Sequence, residues 1–134
     1  MMKKSVWIVI SLILLLIIAS PSVLIYFLNN GNPYTKYLAD KHVPLYLEEK
    51  GYTEDEIEEA HYVEPKHVIN KEFYQGHYMV IFKDEPNITY YYGIKKKQKL
   101  VKQFCEKDIL SADGVTDISE EKTKHSEKDC ANSL

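Results

Sequence analysis

Val6 to Leu28 is a run of 23 residues without a charged side chain. Built as an α-helix it would be about 35 Å long, enough to cross a hydrocarbon core of roughly 30 Å. The remaining residues are polar and rich in charge, so the chain reads as one membrane anchor carrying a small domain. A cleaved signal peptide shares the short positive start, here Lys3 and Lys4, and ends its roughly 7–15-residue apolar region at small residues. Val6 to Ile18 followed by Ala19-Ser20-Pro21-Ser22 has that form. The apolar run then resumes with Val23-Leu24-Ile25-Tyr26-Phe27-Leu28, which a cleaved signal does not need, so an uncleaved anchor is expected. Pro21 is tolerable in a span, because Ser20 and Ser22 can satisfy freed backbone groups. Trp7 and Tyr26-Phe27 stand near the two ends, where interfacial aromatics belong. No cysteine directly follows the run, which argues against a lipid-modified N-terminus.

Lysines favour the cytoplasmic side of a span. Lys3 and Lys4 flank one end, whereas the other flank, Asn29 to Thr35, is uncharged. The expected plan is a cytoplasmic segment 1–5, a single transmembrane anchor 6–28, an extracytoplasmic domain 29–107 and a flexible polar tail 108–134. Of the 17 basic residues, 15 lie beyond the anchor, against 20 acids, leaving this part at −5. That balance argues against nucleic acid as a partner. Every basic residue is lysine, which weakens any model needing bidentate arginine recognition of phosphate or carboxylate. Eleven tyrosines suit a domain apolar inside and wet at its rim.

The domain reads as α+β. Asn32 as N-cap and Pro33 at the first helical position open a helix that Gly51 closes. The pattern Tyr34, Tyr37-Leu38, Lys41-His42 and Leu45-Tyr46 keeps the 3.6-residue period, with a kink or break expected near Lys41–Val43 because of Pro44. Thr53 to Glu56 has capping-box spacing. The acidic run from Glu54 to Glu59 lacks the alternating ligands and central glycine of a calcium loop, and reads as a solvated helix start. Strands are expected at His61-Tyr62-Val63 and Val68-Ile69, interrupted by Glu64-Pro65-Lys66, then at Phe73–Phe82, Ile88–Ile94 and Leu100–Cys105. Alternation puts Tyr78, Val80 and Phe82 on one face of their strand and His77, Met79 and Ile81 on the other; on the next strand Ile88, Tyr90, Tyr92 and Ile94 share one face and Thr89, Tyr91 and Gly93 the other. Short turns at 83–87 and 95–98 predict about four antiparallel strands in a meander. The helix must cover one face, with Tyr37, Leu38, Leu45, Val80 and Phe82 in the core.

The motifs Asn30-Gly31-Asn32-Pro33-Tyr34-Thr35-Lys36-Tyr37, Lys50-Gly51-Tyr52-Thr53 with Glu56-Ile57, Phe82-Lys83-Asp84-Glu85-Pro86 with Tyr90-Tyr91-Tyr92, and Gln103-Phe104-Cys105 occur in this order. Over residues 1–107 the chain thereby resembles the small membrane-anchored Firmicute proteins of domain of unknown function 3139. The resemblance implies a location and a plan but no reaction, and Pro44 departs from it.

No catalytic or metal signature stands out, and no cofactor is expected. His42, His61, His67, His77 and His125 show no helical metal-binding spacing, although His61, His67 and His77 could converge if the first strands pair. Cys105 facing a histidine is a weaker idea for a nucleophile, since an exterior cysteine more often pairs. Cys105 and Cys130, the only two cysteines, are expected to form a disulfide, with two free thiols as the alternative. The candidate binding residues are Tyr91, an aromatic on the open sheet face, and Lys95, Lys96, Lys97 and Lys99 at a hairpin tip. They could meet sugar or peptide, anionic wall polymer or lipid headgroups; the plainer alternative is cross-strand packing and a solvated turn. The function expected is a non-catalytic binding or interaction module at a bacterial cell surface. The alternative is a membrane-held regulator binding another membrane protein, with a small hydrolase behind both.

Overall fold

The computed structural model describes residues 3–65 and 70–134. They form two compact units, which divide after Pro33. The first is helix α1, Lys4–Asn30. Apart from half-buried Ile10, its leucines, isoleucines and valines are exposed along its length, and it is long and apolar enough to cross a membrane. Pro21 lies inside it, and Gly31 closes it at φ 73° with its N–H on the Phe27 carbonyl at 2.8 Å.

The second unit, from Tyr34 on, is an antiparallel sheet with one helix packed on it. Helix α2, Pro33–Glu49, ends in paired bonds from Gly51 N–H to Glu48 and Tyr52 N–H to Leu47, with Gly51 at φ +95°. Pro44 does not break α2, and Pro44 and Asp40, whose carbonyl loses its bond, both face solvent. A 3-10 turn, Glu54–Glu56, comes next with the capping box that Thr53 and Glu56 predict. The strands are β1 Ile57–Val63, β2 His77–Phe82, β3 Ile88–Ile94, β4 Val101–Gln103, β5 Lys107–Leu110 and β6 Thr116–Ser119. Their order is β1-β2-β3-β5-β6, and β4 pairs with the far end of β3. The expected Val68-Ile69 strand lies outside the described residues.

Alternation on β2 and β3 sets the core. Tyr78, Val80, Phe82, Tyr90, Tyr92 and Ile94 turn to α2 and meet Leu38, Ala39, Val43 and Leu47. Leu38, Val80 and Phe82 are buried as expected, but Tyr37 and Leu45 are 57% and 52% exposed. The buried stripe of α2 is Thr35, Leu38, Ala39, Val43 and Leu47, rotated from the one that the aromatic residues suggested. Small residues at 35 and 39 let the helix approach the sheet, while long tyrosines suit its rim.

Among the described residues the sheet has six strands rather than about four, and residues 108–134 are not a loose tail. β5 and β6 form a hairpin whose first strand joins β3. Residues 123–127 then lie as a strap on the core side. There Gln103, 1% exposed, donates to the His125 carbonyl at 2.9 Å and accepts the Glu127 N–H at 2.8 Å. Tyr46 donates to Glu127 at 2.6 Å. Cys130 is bonded to Cys105, with Cα atoms 5.0 Å apart, which ties the strap to the segment after β4.

Candidate functional site

The sheet face turned away from α2 carries His77 on β2 and Tyr91 and Gly93 on β3. Gly93 is required here: a Cβ would stand 2.4 Å from the Phe104 ring and 2.9 Å from the Phe73 ring. Phe73 and Phe104 pack on this floor with ring centroids 4.9 Å apart. The His77 ring lies 4.8 Å from Phe104 and 5.5 Å from Tyr91. His77, Tyr91 and Phe104, together with Val63, Pro65 and Ile118, line a cleft of about 390 Å³.

Three carboxylates, Glu64, Glu106 and Asp108, rim the cleft. Tyr91 donates to Asp108 Oδ2 at 2.6 Å, and burial, then this bond, pushes the Tyr91 phenol up from its ordinary value. Glu106 accepts the Ser133 N–H at 3.0 Å, and Glu64 accepts the Tyr62 hydroxyl. All three acids are therefore held in place by neutral donors. The result is an apolar and aromatic floor inside a fixed acidic rim.

The lysines join no common site with Tyr91. The Tyr91 hydroxyl meets Asp108 on β5, which pairs with the start of β3, whereas Lys95, Lys96, Lys97 and Lys99 come after the end of β3. Lys95 Nζ lies 3.6 Å from Glu72, and Lys99 sits 5.8 Å over the Tyr34 ring. Gln98 and Lys99 take positive φ at the tip.

Among the described residues the histidines do not gather. His61 is exposed and bound to Glu59 at 2.9 Å, His77 is packed among rings, and His67 lies outside the described residues. A second groove, about 780 Å³, runs between the end of α2 and the start of β1 past Glu48, Glu54, Asp55, Glu58 and Glu59. Among the described residues no three His, Cys, Asp or Glu side chains could hold a metal ion. Cys105 is in its disulfide and offers no thiolate.

One arrangement had no signal in the sequence. His125 stacks on Phe82 at 4.0 Å, with Nδ1 3.0 Å from the Tyr52 hydroxyl and Nε2 2.8 Å from Asp84. Hydrogen bonds from Lys124, then from His125, hold the Asp84 carboxyl at about 2. Phe82 covers one face of the imidazole, so this chain of three works as a clasp that fixes the strap.

The model of one family, described as a protein of unknown function (DUF3139), matches residues 2–92. The chain belongs to that family. The matched DUF3139 stretch holds α1, α2, β1, β2 and nearly all of β3, with Glu64, His77 and Tyr91 of the cleft. Phe104, Glu106 and Asp108, the lysine tip, both cysteines and the strap lie beyond it. No curated protein and no solved structure matches the chain.

Proposed function

We propose that this DUF3139 chain is a single-pass membrane protein that holds a non-catalytic binding module outside a bacterial cell membrane, and that the cleft beside Tyr91 is its ligand site. The observation that carries the reading is the fixed acidic rim around an aromatic floor. Such a site recognises an apolar body bearing a positive charge, such as a peptide segment with a lysine or another amine. Supporting the location are the apolar α1, the lysines before it and a disulfide, which persists in oxidising compartments. Each of the three carboxylates accepts one neutral donor and keeps lone pairs on its other oxygen for an incoming ammonium group.

The test is NMR titration of the 29–134 domain with short peptides. Amine-bearing apolar peptides are expected to shift the His77 and Tyr91 signals, and Asp108→Asn with Glu106→Gln should weaken the effect. Shifts absent from both residues across peptides and wall fragments would overturn the cleft as the site. Capture of a membrane protein from native membranes by α1 alone would favour a regulator instead.

A further inference from the structure

We infer that the 95–100 hairpin tip, with Tyr34 and Tyr37, is a surface that rests on the anionic phospholipid headgroups of the bilayer in which the chain is anchored. The inference depends on the proposed anchoring of the chain by α1. Its first support is position within the domain. Lys99 lies over the Tyr34 ring, and Tyr34 in turn packs edge-on against Tyr74 at 6.0 Å. Tyr34 is six residues past Leu28, the last residue of the apolar run. Six residues span at most about 20 Å when fully extended. The fold therefore places this lysine tip at the end of the domain where the chain arrives from its anchor.

The second support is the charge pattern. Lys95 is near Glu72, and Lys36 is bound to Asp40 at 2.5 Å. Among the described residues no carboxylate pairs with Lys96, Lys97 or Lys99, and all three are exposed. The acids gather elsewhere. Glu48, Glu54, Asp55, Asp84 and Glu85 lie at the end of α2 and at the β2–β3 turn, where Tyr52 meets Phe82. The tip is thus a basic patch at the end where the chain enters the domain, with Glu64 also at that end through the Tyr62 hydroxyl that meets Thr35, and the opposite end is acidic. With a net charge of −5 after the anchor, an anionic surface repels the bulk of the domain and attracts the cluster of lysines at this tip, which favours one orientation.

The third support is the company these lysines keep. Tyr34, Tyr37 and Leu100 are about half exposed, and Lys41 lies over the Tyr37 ring at 5.8 Å. Amphipathic tyrosines beside lysines are what headgroup depth favours. Lysines next to a span are attracted to anionic lipid within about one Debye length, roughly 8 Å at physiological salt.

The full chain is placed in nanodiscs of phosphatidylcholine alone and of phosphatidylcholine mixed with phosphatidylglycerol, and amide hydrogen exchange is followed. Exchange at 95–100 is expected to slow by about tenfold in the anionic discs, and high salt or Lys96→Glu with Lys97→Glu should restore it. The 83–87 turn, at the acidic end, should exchange alike in both and reports that the variant is folded. Equal exchange at the tip in both discs overturns the inference and leaves the anchor intact. The same slowing by soluble polyphosphate in neutral discs overturns the lipid in favour of a soluble anionic polymer. A chain that does not enter the discs overturns the anchored reading and this inference together.

Discussion

Phe82 touches Tyr52, Tyr90 and His125 and is fully buried, so it joins the sheet core to the strap. Phe82→Ala should cost about 3–5 kcal/mol in urea unfolding of the 29–134 domain. Tyr37→Ala or Leu45→Ala should change it by no more than about 0.5 kcal/mol, because both side chains are at the surface. Gly93→Ala forces a methyl into the Phe104 ring and should cost about 1–3 kcal/mol, since the second sheet face has no slack there. A loss as large for Leu45→Ala as for Phe82→Ala would show that the stripe on α2 has been placed wrongly. Asp84 gives a pH signature. Its folded value of about 2 lies below its ordinary 3.8, so the stability it adds is present above pH 3.8 and is lost as pH falls through about 2. Unfolding measured from pH 4 to pH 2 should therefore fall less steeply for Asp84→Asn than for the unaltered domain.

At the scale of elements, β2 and β3 were legible and the C-terminal strap was not. Tyr78, Val80, Phe82 and then Tyr90 and Tyr92 alternate with residues of the other face, and a period of two needs no tertiary information to be read. The helix was legible in its ends, from Pro33 to Gly51, but not in its rotation. Tyr34, Tyr37 and Leu45 look like a core stripe, and only the fit of small Thr35 and Ala39 against the sheet selects the other one. The strap defeats pattern reading because its polar groups are satisfied by buried partners elsewhere. Gln103 serves both sides of residue 126, and Lys107, 2% exposed, donates to the Glu121 carbonyl at 2.5 Å. Burial pushes the Lys107 amine down from its ordinary value. Of the candidate site, Tyr91 was legible from alternation, whereas Glu106 and Asp108 were hidden at the edge of what read as a tail. The Cys105–Cys130 bond closes this whole segment over a sequence separation of 25. Its reduction should lower domain stability by about 3–4 kcal/mol in the chain-entropy account. Hydrogen exchange at 123–127 should rise at the same time, and unchanged exchange there would mean that His125 and Gln103 hold the strap without the bond.

At the scale of the whole molecule, the question is which side of a membrane the two units face, and the lysines answer it chemically. Two of them, Lys3 and Lys4, precede the apolar run, and the other 15 come after it. Both cysteines are joined, so a thiol reagent has no target without reduction, but amines are available throughout the domain. The topology proposed above, which follows the positive-inside preference, has Lys3 and Lys4 in the cytoplasm and the domain outside. Intact cells treated with a membrane-impermeant amine reagent should then be labelled at exposed domain lysines such as Lys83, Lys122 and Lys128 and not at Lys3 or Lys4. Opened cells should be labelled at both sets. The reverse pattern in intact cells would invert the topology, set the disulfide in a reducing compartment and remove the outer-surface setting of the cleft. Mature protein whose first residue lies near Ser22 would remove the anchor itself, since the Val23–Leu28 remainder spans only about 9 Å as a helix. Labelling of the far-end lysines with protection at Lys96 and Lys97 is the result that joins topology to the headgroup surface, because in intact cells only the membrane face of an outside domain is shielded in that pattern.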